Sequence, residues 1–227
     1  MICESITEPV LKNMIEAANF SSADMVEIRL DCLEKYTGAE SLREIAKPLI
    51  VTCMPAPEGG KFTGTEEERI GMLFESVQYA DYISLELSTK KELRERIIYE
   101  ARTRDTKIIA TYHDRKKTPN IKEIKEILKK EKKTGADIAK VAFQANDYGD
   151  VMNLMSVLLE NDVGIPIIAI SMGEYGKISR ILGPLLGSYL TFASPAKGKE
   201  AAPGQLTVEE LYTVFDILKK SADPLGL

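Results

Sequence analysis

The chain has 227 residues, 44% of them hydrophobic, with 30 basic against 35 acidic side chains for a formal charge of −5. That length suits one large domain or two small ones. The acidic balance argues against nucleic acid or an anionic membrane as partner. No segment reaches the roughly 18 apolar residues of a membrane span, the start MICES is not a signal peptide, and three cysteines without CxxC spacing read as free thiols in a reducing compartment. The cytoplasm is the expected location.

Strand-like and helix-like segments alternate from end to end. The strands are expected at Ile2–Ser5, Met25–Asp31, Pro48–Met54, Tyr82–Leu87, Lys107–His113, Asp137–Phe143, Pro166–Met172 and Tyr189–Ala193. The helical stretches are Pro9–Ala18 after a Thr7 cap, a shorter one after Glu40, then Thr65–Gln78, Lys90–Arg104, Ile121–Lys133, Asp147–Asn161, Tyr175–Leu186 and Val208–Lys219. Eight strands alternating with eight helices predict a parallel α/β fold. At about 28 residues per unit, the count fits a single-domain (β/α)8 TIM barrel. A doubly wound open sheet is the other architecture, but it favours a glycine-rich loop after the first strand, and SITEPV has no glycine there. No Pro/Gly/Ser-rich linker divides the chain.

Lys140 is the residue most at odds with its setting. It lies in GADIAKVAF, an apolar run that otherwise reads as a buried strand. A lone charge is costly to take out of water, so a buried lysine tends to shed its proton. A neutral amine is a nucleophile suited to Schiff-base chemistry. The alternative is a lysine that snorkels out or pairs with a carboxylate. In strand two, MVEIRLD, the apolar Val26, Ile28 and Leu30 share one face and must meet the helices. Glu27, Arg29 and Asp31 then line the barrel interior, either as a site or as an internal salt-bridge network. His113, the only histidine in the chain, ends strand five next to the strand of Lys140. It suits a proton shuttle, though an isolated histidine can be purely structural.

Glu58 precedes Gly59 and Gly60 in PAPEGGKF, a tight turn that is either functional or plain surface. GEYGKISR lacks phosphate-loop spacing, and its Arg180 faces the mouth or solvent. Ser194–Gln205 is a long polar loop, a lid or a simple surface loop. One histidine and no His/Cys/Asp cluster make a catalytic metal unexpected.

EIRLD, EGG, YHD, GADIAK, ISR and APGQL occur in that order along the chain. Together they resemble the type I 3-dehydroquinate dehydratases over essentially the whole sequence. The resemblance implies a Schiff base on Lys140, acid/base catalysis by His113, and Glu58 orienting that histidine. Glu27 and Arg29 would contact substrate hydroxyls, Arg180 the substrate carboxylate, and Gln205 would sit on the closing loop. The implied substrate is 3-dehydroquinate, with no cofactor and no metal, in a homodimer. Two positions depart from the common pattern. Met54 stands where many members have arginine, and Ala201 where many have serine; both are substrate-contact positions. Lys61 either replaces the missing arginine over the mouth or is solvated, with Met54 packed under the loop. A class I aldolase would share the barrel and the Schiff base but usually binds phosphorylated sugars. A catalytically silent barrel that binds a polyhydroxy acid is the alternative that Met54 and Ala201 motivate.

Overall fold

The computed structural model describes residues 1–222. Among them the parallel strands are β1 (Ile2–Ile6), β2 (Met25–Arg29), β3 (Leu49–Thr52), β4 (Tyr82–Glu86), β5 (Lys107–Asp114), β6 (Ile138–Gln144), β7 (Ile167–Met172) and β8 (Thr191–Ala193). Each pairs with the next in sequence up to β7, and β8 pairs with β1. At the remaining seam the Tyr189 amide donates to the Ile167 carbonyl at 2.8 Å. The sheet therefore closes into the expected (β/α)8 barrel.

Around it lie α1 (Leu11–Phe20), α2 (Glu66–Ser76), α3 (Lys91–Thr103), α4 (Ile121–Lys133), α5 (Tyr148–Leu159), α6 (Ser179–Leu185) and α7 (Val208–Ala222). Capping boxes start α2 (Thr65 with Glu68) and α4 (Asn120 with Glu123). Such a side-chain cap stabilises a helix start by about 1 kcal/mol. The Asp147 carboxylate caps α5 by accepting from the Asp150 amide.

Three local expectations need correction. Thr7 does not cap α1, whose N-cap position is Val10 with no side-chain cap. Residues 7 and 8 are irregular and the chain bends at Pro9 and Val10, where the Pro9 carbonyl accepts from the Glu34 amide. The helix after Glu40 is only a 3-10 turn, Glu40–Glu44. Gly38, at positive φ, precedes it, and Ile45 returns to extended backbone directly after it, so the segment does not propagate. The helix expected over Tyr175–Leu186 divides into a 3-10 turn, Tyr175–Ile178, and the seven-residue α6. The Ser179 hydroxyl, donating to carbonyls of Ser171 and Gly176, ties this junction down.

Strand alternation sorts the side chains as the sequence demands. Val26, Ile28, Val51, Ile83 and Leu85 join the core between sheet and helices. Cys3, Met25, Ile50, Ile109, Ile138, Ile168 and Leu190 pack inside the barrel. Each fully buried aliphatic side chain is worth about 1.5–3 kcal/mol. Toward the N-terminal end of the strands, the Tyr82 and Tyr189 hydroxyls meet at 2.6 Å. The interior is thus filled on that side, and polar groups are left to the C-terminal mouth.

One buried ion network underpins that mouth. Arg69, 1% exposed on α2, bonds Glu86 of β4, the Cys53 carbonyl, the Thr89 hydroxyl and Glu66. It joins the end of β3 to the turn after β4. Burial, opposed by the Arg69 charge, pushes Glu86 up to about 7.

Arg69→Met removes one partner of this buried pair and is expected to cost about 3–5 kcal/mol in urea unfolding. The unfolded chain holds Glu86 as a carboxylate above about pH 4.3, while the fold retains its proton toward neutrality. Because the folded value is the higher one, the penalty grows as pH rises. The deficit of the variant should be larger at pH 8 than at pH 5. Equal deficits at both pH values would show that Glu86 is not the group left uncompensated.

Candidate active site

The site grows from the interior face of β6. Ala139, Val141 and Phe143 join the outer core, so Lys140 points inward with Ile138 and Ala142. It is 5% exposed. Its Nζ lies 4.0 Å from the centroid of the Phe192 ring, a contact that favours the ammonium. Burial acts more strongly and in the other direction. The nearby Glu27 charge opposes burial, while Arg29 and Arg180 reinforce it. The amine is held below the ordinary lysine value. Glu27 is itself fixed, accepting from the Ser5 and Thr52 hydroxyls at 2.7 Å each.

In the β5–β6 register Thr111 faces Lys140 and His113 faces Ala142. His113 is therefore one interior step closer to the mouth, about 6.6 Å along the strand direction. Its Nδ1 lies 2.9 Å from Glu58 Oε2, and the Ser88 hydroxyl donates to Glu58 Oε1 at 2.6 Å. An ionised carboxylate only accepts, which assigns the proton to Nδ1 and leaves Nε2 as the basic atom. Burial lowers the His113 value, the Glu58 hydrogen bond pushes back, and the Lys140 charge lowers it further. The net direction is below ordinary histidine. Glu58 ends a 3-10 turn, Ala56–Glu58. A β-carbon at Gly60 would collide with the Met54 carbonyl oxygen, so only glycine lets this turn close against the end of β3.

Arg180, 1% exposed at the start of α6, forms another side of the cavity. Its Nε has no hydrogen-bond partner, and Nη2 reaches only the Pro203 carbonyl at 3.5 Å. Burial pushes it down to about 10, which leaves it cationic near neutrality. A buried guanidinium without an acceptor is prepared for an anion, and a carboxylate matches its fork. Arg29 differs, since Asp31 takes its Nε and Nη2 at 2.8 and 2.7 Å. Burial alone would raise Asp31. The Arg29 bonds and the amides of Lys61 and Met54 outweigh it and hold the carboxyl below its usual range.

The cavity is open at the mouth and holds about 570 Å³ of space, solvent at the opening included. Lys140, His113, Glu58, Glu27, Arg29, Arg180, Gln205, Met54 and Ala201 all line it. The structure thus brings together every residue to which the resemblance gives a catalytic or substrate-contact role. The loop from 194 to 205 covers the mouth, where Gln205 accepts from the Ala201 amide at 2.7 Å and its amide nitrogen lies 3.5 Å from the Ser5 hydroxyl.

Asp31 departs from expectation. It belongs to a 3-10 turn, Leu30–Cys32, and backs Arg29 instead of lining the cavity. Lys61 is exposed, with only its amide engaged on Asp31, and stands outside the cavity wall. Met54 packs at 8% exposure with its sulfur 3.8 Å from Arg29 Nη2. Of the two readings of this pair, the structure has the solvated lysine and the packed methionine. Ser88 and Arg115 were not legible in the sequence. Ser88 is an ordinary turn serine until Glu58 is placed beside it, and Arg115 opens a basic run, RKK, that reads as solvated.

A model described as type I 3-dehydroquinase matches residues 2–222. The chain belongs to the type I 3-dehydroquinase family. The 3-dehydroquinate dehydratase of Methanosarcina mazei is 40% identical over 94% of this chain and 93% of its own. That of Methanocaldococcus jannaschii is 38% identical over 96% and 99%. Among solved structures, the type I 3-dehydroquinate dehydratase of Clostridium difficile with covalently modified comenic acid superposes with a TM-score of 0.86. It shares 29% identity over 97% of this chain and 92% of the other. No described helix is long and apolar enough to cross a membrane.

The Glu58–His113 pair gives a pH prediction with a definite sign. The carboxylate raises the histidine, so Glu58→Gln lowers it further. If neutral His113 is the base, the acidic limb of kcat/KM should move to lower pH. A limb that stays in place, or moves upward, would detach that limb from His113.

Proposed function

We propose that Lys140, His113 and Glu58 carry the reaction of the family in this chain, the conversion of 3-dehydroquinate to 3-dehydroshikimate and water. The chain catalyses this dehydration as a hydro-lyase. The observation that carries the residue assignment is the neutral-leaning amine of Lys140 in one cavity with the His113–Glu58 pair and the unpartnered Arg180. Neutral Lys140 attacks the ring ketone. His113 moves protons through the carbinolamine, and one water leaves as the iminium forms. The iminium acidifies the adjacent carbon–hydrogen bond. His113 Nε2 takes that proton, and the electron pair enters the iminium to give an enamine. The pair then returns to expel the tertiary hydroxyl, which leaves as water with the proton from His113. A second water hydrolyses the conjugated iminium, freeing the enone and Lys140. One water is consumed and two are released, so the balance is a single dehydration.

In this assignment Glu58 holds Nδ1–H and supports the imidazolium as it forms, a role that typically goes with about 10²–10⁴-fold from the positioned acid/base. Arg180 takes the substrate carboxylate, and Glu27 with Arg29 takes its hydroxyls. Gln205 and Ala201 close the mouth from the loop, with Met54 in the opposite wall. Lys140 provides the electron sink itself. We also assign the chain to the cytoplasm as a homodimer. The dimer rests on the family resemblance, and light scattering at twice the mass of the chain tests it.

Borohydride added with 3-dehydroquinate should fix the ligand mass on Lys140 and abolish activity. A label on another lysine would overturn the assignment. His113→Ala should lose at least about 10²-fold in turnover while still accumulating trappable imine.

Arg180→Ala should mainly raise KM, since its carboxylate partner exists before and after the reaction. A lost charge-assisted hydrogen bond of about 1.5–3 kcal/mol corresponds to about 10- to 150-fold. An unchanged KM would reassign Arg180 to structure.

A further inference from the structure

We propose that Arg115 is a specificity-determining residue of this site, donating from the mouth of the barrel to a hydroxyl oxygen of the bound substrate. The inference rests on the reaction assigned above. Arg115 follows β5 by one residue and lies two residues past His113, and it lines the same cavity as Lys140 and His113. Its position is built. Gly59, at φ +100, directly follows Glu58 and has no side chain. A β-carbon there would lie 2.7 Å from Arg115 Cδ and 2.9 Å from Nη1. The guanidinium stem therefore rests on the Glu58–Gly59 turn, over the space that glycine leaves open.

The other cations of the cavity already have tasks. Arg29 gives two N–H groups to Asp31, Arg180 is buried against the loop at Pro203, and Lys140 is the nucleophile. Arg115 differs, because its guanidinium has no hydrogen-bond or ion-pair partner among the described residues. Between Arg29 and the Glu58 turn the wall is Met54, whose thioether donates nothing. A polyhydroxy substrate in this cavity presents hydroxyl oxygens that need donors, and on this side Arg115 is the cation able to supply them. A planar fork with five N–H groups can serve two vicinal oxygens in a fixed geometry, which the compact ammonium of a lysine does not present.

Because Arg115 is exposed at its outer face, its removal should leave the fold intact and act on binding. Steady-state kinetics of Arg115→Ala and Arg115→Lys with 3-dehydroquinate test the proposal, together with the pH profile of kcat and borohydride labelling of Lys140. Arg115→Ala should raise KM about tenfold or more. Its kcat should stay within about threefold, with the pH profile unmoved and Lys140 still labelled at saturating substrate. Arg115→Lys should recover part of the loss. A KM for Arg115→Ala within about twofold of the native enzyme would overturn the proposal. So would a fall in kcat at constant KM, which marks a positioning role through Glu58. Failure of the underlying reaction is a separate result, since the native protein would then neither turn over 3-dehydroquinate nor label at Lys140.

Discussion

The site depends on an amine that the barrel takes out of water without a close carboxylate partner of its own. Lys140 sits among one anion, Glu27, and two cations, Arg29 and Arg180. Glu27 is occupied by two hydroxyl donors, and Arg29 is bound to Asp31. In bulk water this arrangement would matter little. At about 5% exposure, burial dominates and shifts the balance toward the neutral amine. The rest of the architecture follows from the need to keep that amine buried yet reachable. The barrel interior is apolar behind it, and the covering loop ends at Gln205 over it.

The second constraint is how the histidine is aimed. A lone imidazole can rotate and exchange its tautomer. Here one ring nitrogen is bound to Glu58, and Glu58 is bound to Ser88. Arg69 locks the two loops that bring those groups together, by bonding the Cys53 carbonyl on one side and Glu86 with Thr89 on the other. The proton-transferring pair is thus set by a buried ion network on its far side. Stability and chemistry share that network, at the cost of a carboxyl, Glu86, held near neutrality.

Much of this is legible in the amino-acid sequence. Alternation in MVEIRLD placed Glu27 and Arg29 inside, because Val26 and Ile28 had to meet the helices. Lys140 stood out because its strand neighbours Ile138, Ala139, Val141, Ala142 and Phe143 are all apolar. What periodicity could not show were partnerships across loops. Arg69 reads as one charge in the acidic first turn of α2, yet its partners Glu86 and Thr89 lie on another unit of the barrel. Asp31 keeps the strand alternation on paper, but the chain turns into a 3-10 segment at Leu30 and carries it behind Arg29. Arg115 could be separated from its solvated neighbours Lys116 and Lys117 only by Gly59, which opens the space it occupies.

Direct titration of Lys140, by NMR of lysine labelled at Cε, tests the central claim most closely. A free lysine titrates at about 10.4. A lower midpoint is expected for Lys140, and one that rises in Arg180→Met, where a neighbouring positive charge is gone. A midpoint at or above the ordinary lysine value, unmoved by Arg180→Met, would contradict that claim.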